Sequence, residues 1–486
     1  MRVVLVHPAG SNWILGKPDI TTAANRMPPL GILSMAAYLQ GTAHEALVHD
    51  CLGPGSPRSP EKNSKRILAL NPDLVGFSTT TSAFHDALTM AGFIKQARPE
   101  VVIVFGGVHV SSLGAQLLDR FDVIDYLSLG EGEHTLLQLA DGDDPATIDG
   151  LAWRDGEQSV VNPTRDHIRD LDSLPFPAYD KLPGFPGGYH LPPFSYIRIP
   201  GATMITSRGC VYQCSYCDRS VFKRGFRYNS PDYIYDHMRE LRQRFGVRHI
   251  NVYDDLFTTN RKRITALCER LAREPLKLQF NCAVHAGHAD DDLLEMLKEA
   301  GCLMVSLGIE SGDPELLQRH KSSAKLEQME ETVRKIQSHG LRAKGLFMMG
   351  LPGETKESIQ RTSDFVLSLG LDDMNMSKFT PFPGAPCWDT INEDGTFEED
   401  WQQMNCLNFV FVPKDFEGRE ELDFLYNTHV KRFYTDPEWR KKFRQRFWQN
   451  RHTMLQMLIH LPTILTARSH FQPHNPVAPS NGDTTS

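Results

Sequence analysis

The sequence predicts an α/β protein with a doubly wound parallel sheet, then a partial barrel of six strands, then a helical C-terminal region. Three observations predict this order. Two series of apolar runs alternate with helical segments, a proline-rich stretch separates the two series, and the alternation loosens after residue 385. The chain has 486 residues, too many for one ordinary core, so several domains are expected.

The first 140 residues alternate apolar runs with helical patterns such as 28–40 and 83–97. Continuous β-branched runs are typical of strands that are buried on both faces of a parallel sheet. The five runs are RVVLVHP (2–8), EALVHDC (45–51), DLVGFSTT (73–80), VVIVFGG (101–107) and VIDYLSLGEGE (123–133). Five strands with intervening helices predict a doubly wound sheet, which binds ligands at the carboxyl ends of its strands.

Small and polar residues follow three of these strands, where glycine lets a backbone approach a ligand closely. The candidate ligand contacts are Ser78, Thr79 and Thr80, then Gly106, Gly107 and His109, then Gly130, Glu131 and Gly132. Any single glycine is also explained by a tight strand-to-helix turn. Their recurrence after three successive strands favours a ligand crevice.

The proline-rich stretch is residues 171–200, which hold seven prolines and are expected to form an extended connector. A second alternating series begins at residue 201. Its six strand-like runs are ATMITS (202–207), HINVYDD (249–255), QFNCAV (279–284), LMVSLGIES (303–311), LRAKGLFMMGLPGET (341–355) and DDMNMSKFTPFPG (372–384). Repeated βα units predict a partial (β/α)6 barrel, in which the chemistry lies in the loops that follow the strands.

The C-terminal part is basic and aromatic: residues 429–451 hold eight Lys and Arg against two acidic residues. Two interpretations stay open, a pair of helices docked on the barrel or a surface that faces a membrane or an amphiphilic substrate. The predicted segments are a ligand-binding sheet (1–150), a linker (151–200), a barrel (201–385), a helical region (386–470) and a disordered tail (471–486).

The composition excludes several classes of protein. A net charge of −8 argues against a general nucleic-acid binder. The apolar run at the N-terminus is too short for a signal sequence, and no run reaches the roughly 18 apolar residues of a membrane span. We therefore expect a cytoplasmic protein, in which clustered cysteines indicate metal or redox chemistry rather than disulfides.

The cysteines of SRGCVYQCSYCD have the spacing C-x₃-C-x₂-C, at Cys210, Cys214 and Cys217. A structural zinc site needs four closed ligands, usually two separated pairs, and the other six cysteines are isolated in sequence. Thiolates also hold [4Fe–4S] clusters, and three of them leave one iron open to another ligand. An open cluster is therefore favoured over zinc.

This motif, with Tyr216 before its last cysteine, resembles the signature of the radical S-adenosylmethionine (SAM) superfamily. The resemblance implies that the open iron chelates SAM and that one electron cleaves SAM to methionine and a 5′-deoxyadenosyl radical. YDDLF (253–257), GIESG (308–312), GLPGET (350–355) and TPFPGAP (380–386) resemble the family's later strand-end motifs. The SAM contacts implied are Tyr216, Asp254, Asp255, Glu310 and Ser311. Without the family, the two aspartates also fit a helix N-cap, and Glu310 an ordinary strand-end charge.

An α/β unit before such a barrel resembles the cobalamin-binding subclass, which includes methyltransferases and the anaerobic magnesium-protoporphyrin monomethyl ester cyclase group. The resemblance covers about residues 1–385 and implies that the nine strand-end residues named above contact cobalamin. One departure concerns D-x-H-x-x-G, in which His ligates cobalt. Here VHPAG (6–10) keeps only H-x-x-G, and His7 ends the first strand. Cobalamin is therefore expected to bind without a protein His on cobalt.

The leading hypothesis is a cobalamin-dependent radical SAM enzyme that methylates an unactivated carbon or phosphorus. The alternative is an oxidative cyclase or rearrangement enzyme with the same cofactors. A tRNA methylthiotransferase is rejected because only Cys51 precedes Cys210, and an electron-transfer scaffold because it needs a fourth cysteine ligand. The expected partners are a low-potential donor (flavodoxin or ferredoxin) and a small substrate, lipid-like or polycyclic, with no nucleic acid and at most peripheral membrane contact.

Overall fold

The computed structural model describes residues 1–10, 25–192, 194–451, 454, 455 and 458. Its first sheet has seven strands, numbered in chain order as β1 Arg2–His7, β2 Glu45–Asp50, β3 Leu74–Ser78, β4 Val102–Gly106, β5 Tyr126–Ser128, β6 Leu151–Asp155 and β7 Gln158–Val161. The order in the sheet is β2-β1-β3-β4-β5-β6-β7, and β1 to β5 are parallel. The strand order reverses between β1 and β3, where doubly wound sheets open a ligand crevice.

Helices cover both faces of this sheet, which explains why its strands are continuous apolar runs. Val4 and Val6 of β1 pack into one core, whereas Val3 and Leu5 pack into another on the opposite face. The helices are α1 Leu30–Leu39, α2 Pro60–Leu68, α3 Phe84–Ala97, α4 Val108–Leu113, α5 Gln116–Arg120 and α6 Glu133–Asp141. The predicted doubly wound sheet is confirmed.

The last two strands of the sheet form an antiparallel hairpin next to β5 that the sequence interpretation did not foresee. They lie within residues 151–200, which were assigned to the linker. The signal for the hairpin is Gly156, which takes the first position of the two-residue turn between Asp155 and Gln158 with φ +62°.

The linker packs between the first sheet and the barrel. The backbone N–H of Ala178 donates to the carbonyl of Leu33 in α1 at 3.1 Å. The buried hydroxyl of Tyr179 donates to the carbonyl of Thr203 at 2.8 Å. These neighbouring linker residues therefore join the helix of one domain to the first barrel strand of the other.

The strands of the second domain are β8 Gly201–Met204, β9 Ser207–Arg208, β10 Arg227–Tyr228, β11 His249–Val252, β12 Gln279–Val284, β13 Cys302–Glu310, β14 Arg342–Met349 and β15 Asp373–Lys378. Six of them form a parallel sheet in the order β15-β14-β13-β12-β11-β8. Its edge strands, β8 and β15, do not pair with each other, so the barrel is partial, as predicted. The short strands β9 and β10 pair antiparallel and close the loop 209–226, which we call the cysteine loop.

Six helices of the barrel domain connect these strands. They are α7 Pro231–Arg244, α8 Arg261–Arg273, α9 Asp291–Glu299, α10 Pro314–His320, α11 Leu326–Ser338 and α12 Lys356–Ser368. Most begin with a side chain that accepts a hydrogen bond from the first turn; Ser230, Asn260 and Asp290 are examples. Such caps satisfy backbone N–H groups that have no partner within the helix.

The C-terminal region is mainly helical, as predicted. Its elements are α13 Ile391–Asp394, β16 Gly395–Phe397, β17 Phe411–Pro413, α14 Arg419–Thr435 and α15 Pro437–Gln445. The hydroxyl of Tyr426 donates to the carbonyl of Met376 at 2.8 Å, and that of Tyr434 to the carbonyl of Met374 at 3.2 Å. Helix α14 therefore covers the outer edge of β15 and gives partners to two carbonyls that no neighbouring strand bonds.

The basic segment 429–451 docks on the barrel at the start of β15. The indole of Trp439 donates to the carbonyl of Asp372 at 3.2 Å, and Arg446 pairs with the carboxylate of Asp372. These contacts favour the docked interpretation, although Phe424 and Trp448 have exposed fractions of 69% and 74%. Most of the apolar run 454–465 and the predicted tail at 471–486 lie outside the described residues. Among the helices that are described, none is long and apolar enough to cross a membrane.

A first prediction concerns Gly107, the residue after β4. Its φ is +98°, and an added Cβ would lie 2.6 Å from the carbonyl oxygen of Thr79. We expect Gly107→Ala to cost about 1–3 kcal/mol of backbone strain and to lower the thermal midpoint measured by circular dichroism. Gly92→Ala, inside α3 with open space around it, is the control and should leave the midpoint unchanged or raise it. Equal midpoints for Gly107→Ala and the wild type would contradict this account.

Candidate active site

The carboxyl edge of the first sheet faces the start of the cysteine loop across a cavity of about 230 Å³. The walls of the cavity come from the strand ends, from α1 and α6, from the linker and from α7 of the barrel domain. Six of the nine predicted cobalamin contacts line it: Ser78, Gly106, Gly107, Gly130, Glu131 and Gly132. One cavity therefore joins most of the residues that follow three separate strands.

The other three predicted contacts do not line this cavity. Thr79 is buried and donates to the carbonyl of Gly106 through its N–H at 2.8 Å and its hydroxyl at 3.0 Å. Thr80 is exposed and precedes a short turn. His109 is fully buried against Trp401, with ring centroids 4.4 Å apart, and burial lowers its pKa to about 3. Direct contact of these three residues with cobalamin stays a prediction.

Asp254 fixes the beginning of the loop that carries the cysteines. Its carboxylate accepts hydrogen bonds from the backbone and the hydroxyl of Thr206, both at 2.5 Å. It also accepts from the backbone of Ser207 at 3.2 Å and from its hydroxyl at 2.7 Å. Arg263, equally buried, lies 3.4 Å away. The structure thus places this predicted SAM contact in the interior, where it orients the cysteine loop.

Asp255, the next residue, is exposed at the mouth of the barrel. Partial loss of water raises its pKa, and the charge of Asp254 raises it further. Burial raises the pKa of Cys210, and the charge of Asp255 raises it further. Of the two predicted aspartates, Asp255 is the exposed one.

The three thiols of the cysteine loop lie near one another. Burial raises the pKa of Cys210, whereas a hydrogen bond with Cys217 lowers the pKa of Cys214 to about 6. Among the described residues, no three His, Cys, Asp or Glu side chains converge on a single metal position. A [4Fe–4S] cluster does not need such convergence, because each thiolate binds a different iron. The donor set of three neighbouring thiols therefore fits the cluster.

Glu310 ends β13 in a strained conformation beside these thiols. Its φ is +66°, and the pairing of β13 with β14 shifts register between Gly308 and Glu310. Lys321 lies 3.0 Å from the Glu310 carboxylate and donates to the carbonyl of Gly308 at 2.6 Å. Positive φ at a residue other than glycine clusters at functional sites.

Ser311 and Tyr216 have different surroundings. Ser311 is fully buried, and its hydroxyl lies 3.1 Å from that of Thr362 and accepts from the N–H of Asp313 at 3.1 Å. Tyr216 packs on an apolar cluster that includes Phe379, and a hydrogen bond from its hydroxyl lowers the pKa of Cys214. Ser311 is therefore enclosed by protein groups, whereas Tyr216 contacts the thiol of Cys214.

Sequence reasoning missed Lys321 and Arg208. Lys321 lies 3.0 Å from the carboxylate of Glu310, one of the predicted SAM contacts. Lys321 directly follows helix α10 and belongs to none of the motifs recognised in the sequence, so the sequence does not mark it as a site residue. Arg208 precedes Cys210 by two residues, and only the folded structure reveals its partners.

A buried ion-pair network joins the two domains at this point. The guanidinium of Arg208 lies 2.6 Å from the carboxylates of both Glu131 and Glu133, and Arg227 lies 2.9 Å from Glu131. All four side chains have exposed fractions below one fifth. Burial would raise the pKa of Glu131, but the two arginines and the N–H of Ile168 hold it below its usual value.

Comparison with protein families agrees with this geometry. Residues 204–366 match the model of the radical SAM superfamily, and residues 16–140 match that of the B12 binding domain. The chain is a radical SAM enzyme with a B12-binding domain. The radical SAM domain implies SAM and a [4Fe–4S] cluster, and the B12-binding domain implies cobalamin.

Two similar proteins, a methyltransferase and a cyclase, align with most of the chain. An uncharacterized methyltransferase of Pyrococcus horikoshii is 28% identical over 444 residues, covering 90% of this radical SAM enzyme and 93% of the relative. The anaerobic magnesium-protoporphyrin IX monomethyl ester cyclase of Rubrivivax gelatinosus is 26% identical over 452 residues, covering 89% and 77%.

A solved structure shows the same fold. The cobalamin-dependent S-adenosylmethionine radical enzyme OxsB, with aqua-cobalamin and SAM bound, matches with a TM-score of 0.70 and 17% identity. The match covers 94% of this radical SAM enzyme and 72% of the OxsB chain.

A second prediction concerns the ion pairs between the domains. Arg208→Gln leaves Glu131 and Glu133 short of a buried partner and should cost about 3–5 kcal/mol, seen as a lower thermal midpoint. Arg98→Gln, which removes an exposed pair with Glu100, is the control and should cost no more than about 1 kcal/mol. Equal effects of the two changes would contradict a stabilising role for the network.

The same network predicts a dependence on pH. The pKa of Glu131 is lowered in the folded chain. The ion pairs of Glu131 therefore contribute fully to the free energy of unfolding above the ordinary Glu pKa of about 4.3, and this contribution is lost as the pH falls below that value. The difference in midpoint between wild type and Arg208→Gln should therefore shrink below about pH 4.3. A difference that grows on acidification would contradict the assignment.

Proposed function

We propose that this enzyme uses a cobalamin and a radical derived from SAM to methylate an unactivated carbon or phosphorus of a small molecule. One observation carries the proposal. The loop with the three cysteines lies directly against the carboxyl edge of the B12-binding sheet, joined to it by Arg208 and Glu131. Two cofactor sites that share one wall suit a reaction in which a radical and a methyl donor meet the same substrate.

In this proposal Cys210, Cys214 and Cys217 hold the cluster, which supplies the electron that cleaves SAM. Asp254 orients the cysteine loop through its bonds to Thr206 and Ser207. The electron comes from a low-potential donor such as flavodoxin or ferredoxin. The nine free thiols of the described chain suit a reducing compartment such as the cytoplasm.

The surroundings of the cysteines favour a substrate with a flat or apolar part. The ring of Tyr212, in the cysteine loop, stacks on His285 with centroids 4.3 Å apart and an interplanar angle of 10°. Burial lowers the pKa of His285 to about 4, so this imidazole is neutral near pH 7. An aromatic, uncharged wall at the barrel mouth is compatible with a polycyclic or lipid-like substrate.

The alternative is an oxidative cyclase with the same cofactors, because one similar protein is a cyclase. Methyl transfer is favoured, since the relative that aligns over the larger share of its own length is a methyltransferase. Both reactions require the cluster and cobalamin, so the products of SAM distinguish them.

A third prediction tests the cluster ligands. Cys210→Ala, Cys214→Ala and Cys217→Ala should each lower the iron and sulfide retained after anaerobic reconstitution and abolish reductive cleavage of SAM. Cys268→Ala is the matched control, because Cys268 is buried in α8 and alanine favours a helix. It should retain iron and cleave SAM as the wild type does. Cleavage of SAM by Cys214→Ala at the wild-type rate would refute the cluster assignment.

A fourth prediction concerns the products formed from SAM. The cluster-loaded enzyme, given SAM, hydroxocobalamin and a low-potential reductant, should form 5′-deoxyadenosine and also S-adenosylhomocysteine, the product left when SAM gives up its methyl group. Without cobalamin, S-adenosylhomocysteine should disappear. Formation of 5′-deoxyadenosine alone in the complete mixture would favour the cyclase. Failure of the wild type to bind cobalamin would contradict the proposed role of the B12-binding domain.

A further inference from the structure

The cavity between the domains has a wall that the B12-binding sheet does not provide. Helix α7 of the barrel domain brings Tyr233 and His237 to it, opposite the strand-end glycines Gly106 and Gly107. The volume of about 230 Å³ equals roughly eight liquid water molecules, enough for part of a large organic cofactor. Most of its surface is apolar, so a polar side chain in it that has no protein partner is informative.

His237 is the unusual member of this wall. It is 1% exposed, and neither of its ring nitrogens has a hydrogen-bond partner within the described part of the chain. The large majority of buried polar side chains are hydrogen-bonded, and those that are not require an explanation. The ring stacks on Phe176 of the linker, with centroids 4.8 Å apart and an interplanar angle of 11°. Stacking holds the plane of the imidazole but satisfies neither nitrogen.

The protonation state of His237 sets what it can offer to a ligand. Burial lowers its pKa to about 3, so the imidazole is neutral near pH 7. A neutral imidazole has one N–H donor and one acceptor nitrogen. It suits a neutral polar partner, such as an amide or a ring nitrogen, and it does not suit a phosphate that seeks positive charge.

A second side chain without a partner lies in the same cavity. The hydroxyl of Ser128, at the end of β5, is buried and has no hydrogen-bond partner among the described residues. Ser128 belongs to the B12-binding sheet, whereas His237 belongs to the barrel domain. Two unsatisfied polar groups from different domains in one cavity indicate a ligand that spans both walls.

We infer that His237 binds cobalamin: its imidazole hydrogen-bonds to a neutral polar group of the cofactor, so that the barrel domain holds cobalamin together with the B12-binding sheet. This inference rests on the proposed function, because it takes cobalamin as the occupant of the cavity. Two parts of cobalamin carry suitable groups. The corrin ring carries amide side chains, and the base of the nucleotide tail has a free ring nitrogen when it does not bind cobalt.

The test measures cofactor binding rather than turnover. Hydroxocobalamin is titrated by calorimetry into the cluster-loaded wild type, His237→Phe and His237→Gln. His237→Phe keeps a ring to stack on Phe176 but removes the polar atoms, and its affinity should fall about threefold to tenfold, as for one lost hydrogen bond. His237→Gln, which keeps a donor and an acceptor, should recover part of the affinity. The thermal midpoint of the cobalamin-free protein should not fall in His237→Phe, because no protein partner is lost.

His249→Phe is the matched control. His249 is as deeply buried, it lies in the barrel domain as His237 does, and it does not line the cavity. Its replacement should leave the affinity for hydroxocobalamin unchanged. Diaquocobinamide, which lacks the nucleotide tail, separates the two sources of the polar group. A loss that persists with cobinamide assigns His237 to the corrin amides, and a loss seen only with cobalamin assigns it to the tail.

Two outcomes would overturn the inference. One is an affinity of His237→Phe equal to that of the wild type, and the other is an equal loss in His249→Phe. Both require that the wild type binds hydroxocobalamin. A wild type that does not bind it contradicts the proposed function itself, so the two failures are distinguishable.

Discussion

The arrangement of this enzyme depends on the buried ion pairs of Arg208 and Arg227 with Glu131 and Glu133. Each charge loses much of its water, a cost that only a close partner offsets. The partners lie on different domains, so the charges are compensated only when the two domains are docked in this one way. Their contribution is therefore to orientation as much as to stability. A shifted interface would leave buried charges unpaired.

The ion pairs of Arg208 also fix the position of the cysteine loop, because Arg208 lies close to Cys210 in the chain. Arg208 lies in β9, two residues before Cys210, and the preceding Thr206 and Ser207 are held by Asp254. The cysteine loop is therefore fixed at its start both to the B12-binding sheet and to the second barrel strand. Gly209 lies at the start of this loop with φ +88°, and an added Cβ there would lie 2.6 Å from the carbonyl oxygen of Gly225 near the end of the loop. Close approach of the two ends of the loop needs a residue without a side chain.

The sequence predicts the parallel strands of the first sheet well because helices cover both of its faces, which requires continuous apolar runs. The predicted run 279–284 coincides with β12, and 2–8 exceeds β1 by one residue. The hairpin of β6 and β7 was missed, since its strands have only five and four residues and no helix separates them. The cysteine motif is recognisable from the sequence alone, because its three residues lie within eight positions of one another. The partners of Arg208 and the surroundings of His237 join distant parts of the chain, and no local pattern encodes them.

The last part of the chain limits the motion of the two domains further. Trp401 and Met404, which follow the barrel, pack into the core of the B12-binding domain with Phe84. The chain thus crosses between the domains twice, once through the linker at Ala178 and once after β15. Two connections and a buried charge network hold the domains more firmly than one linker would. A fixed geometry is what radical chemistry requires, because a reactive intermediate must meet its partner before it meets water.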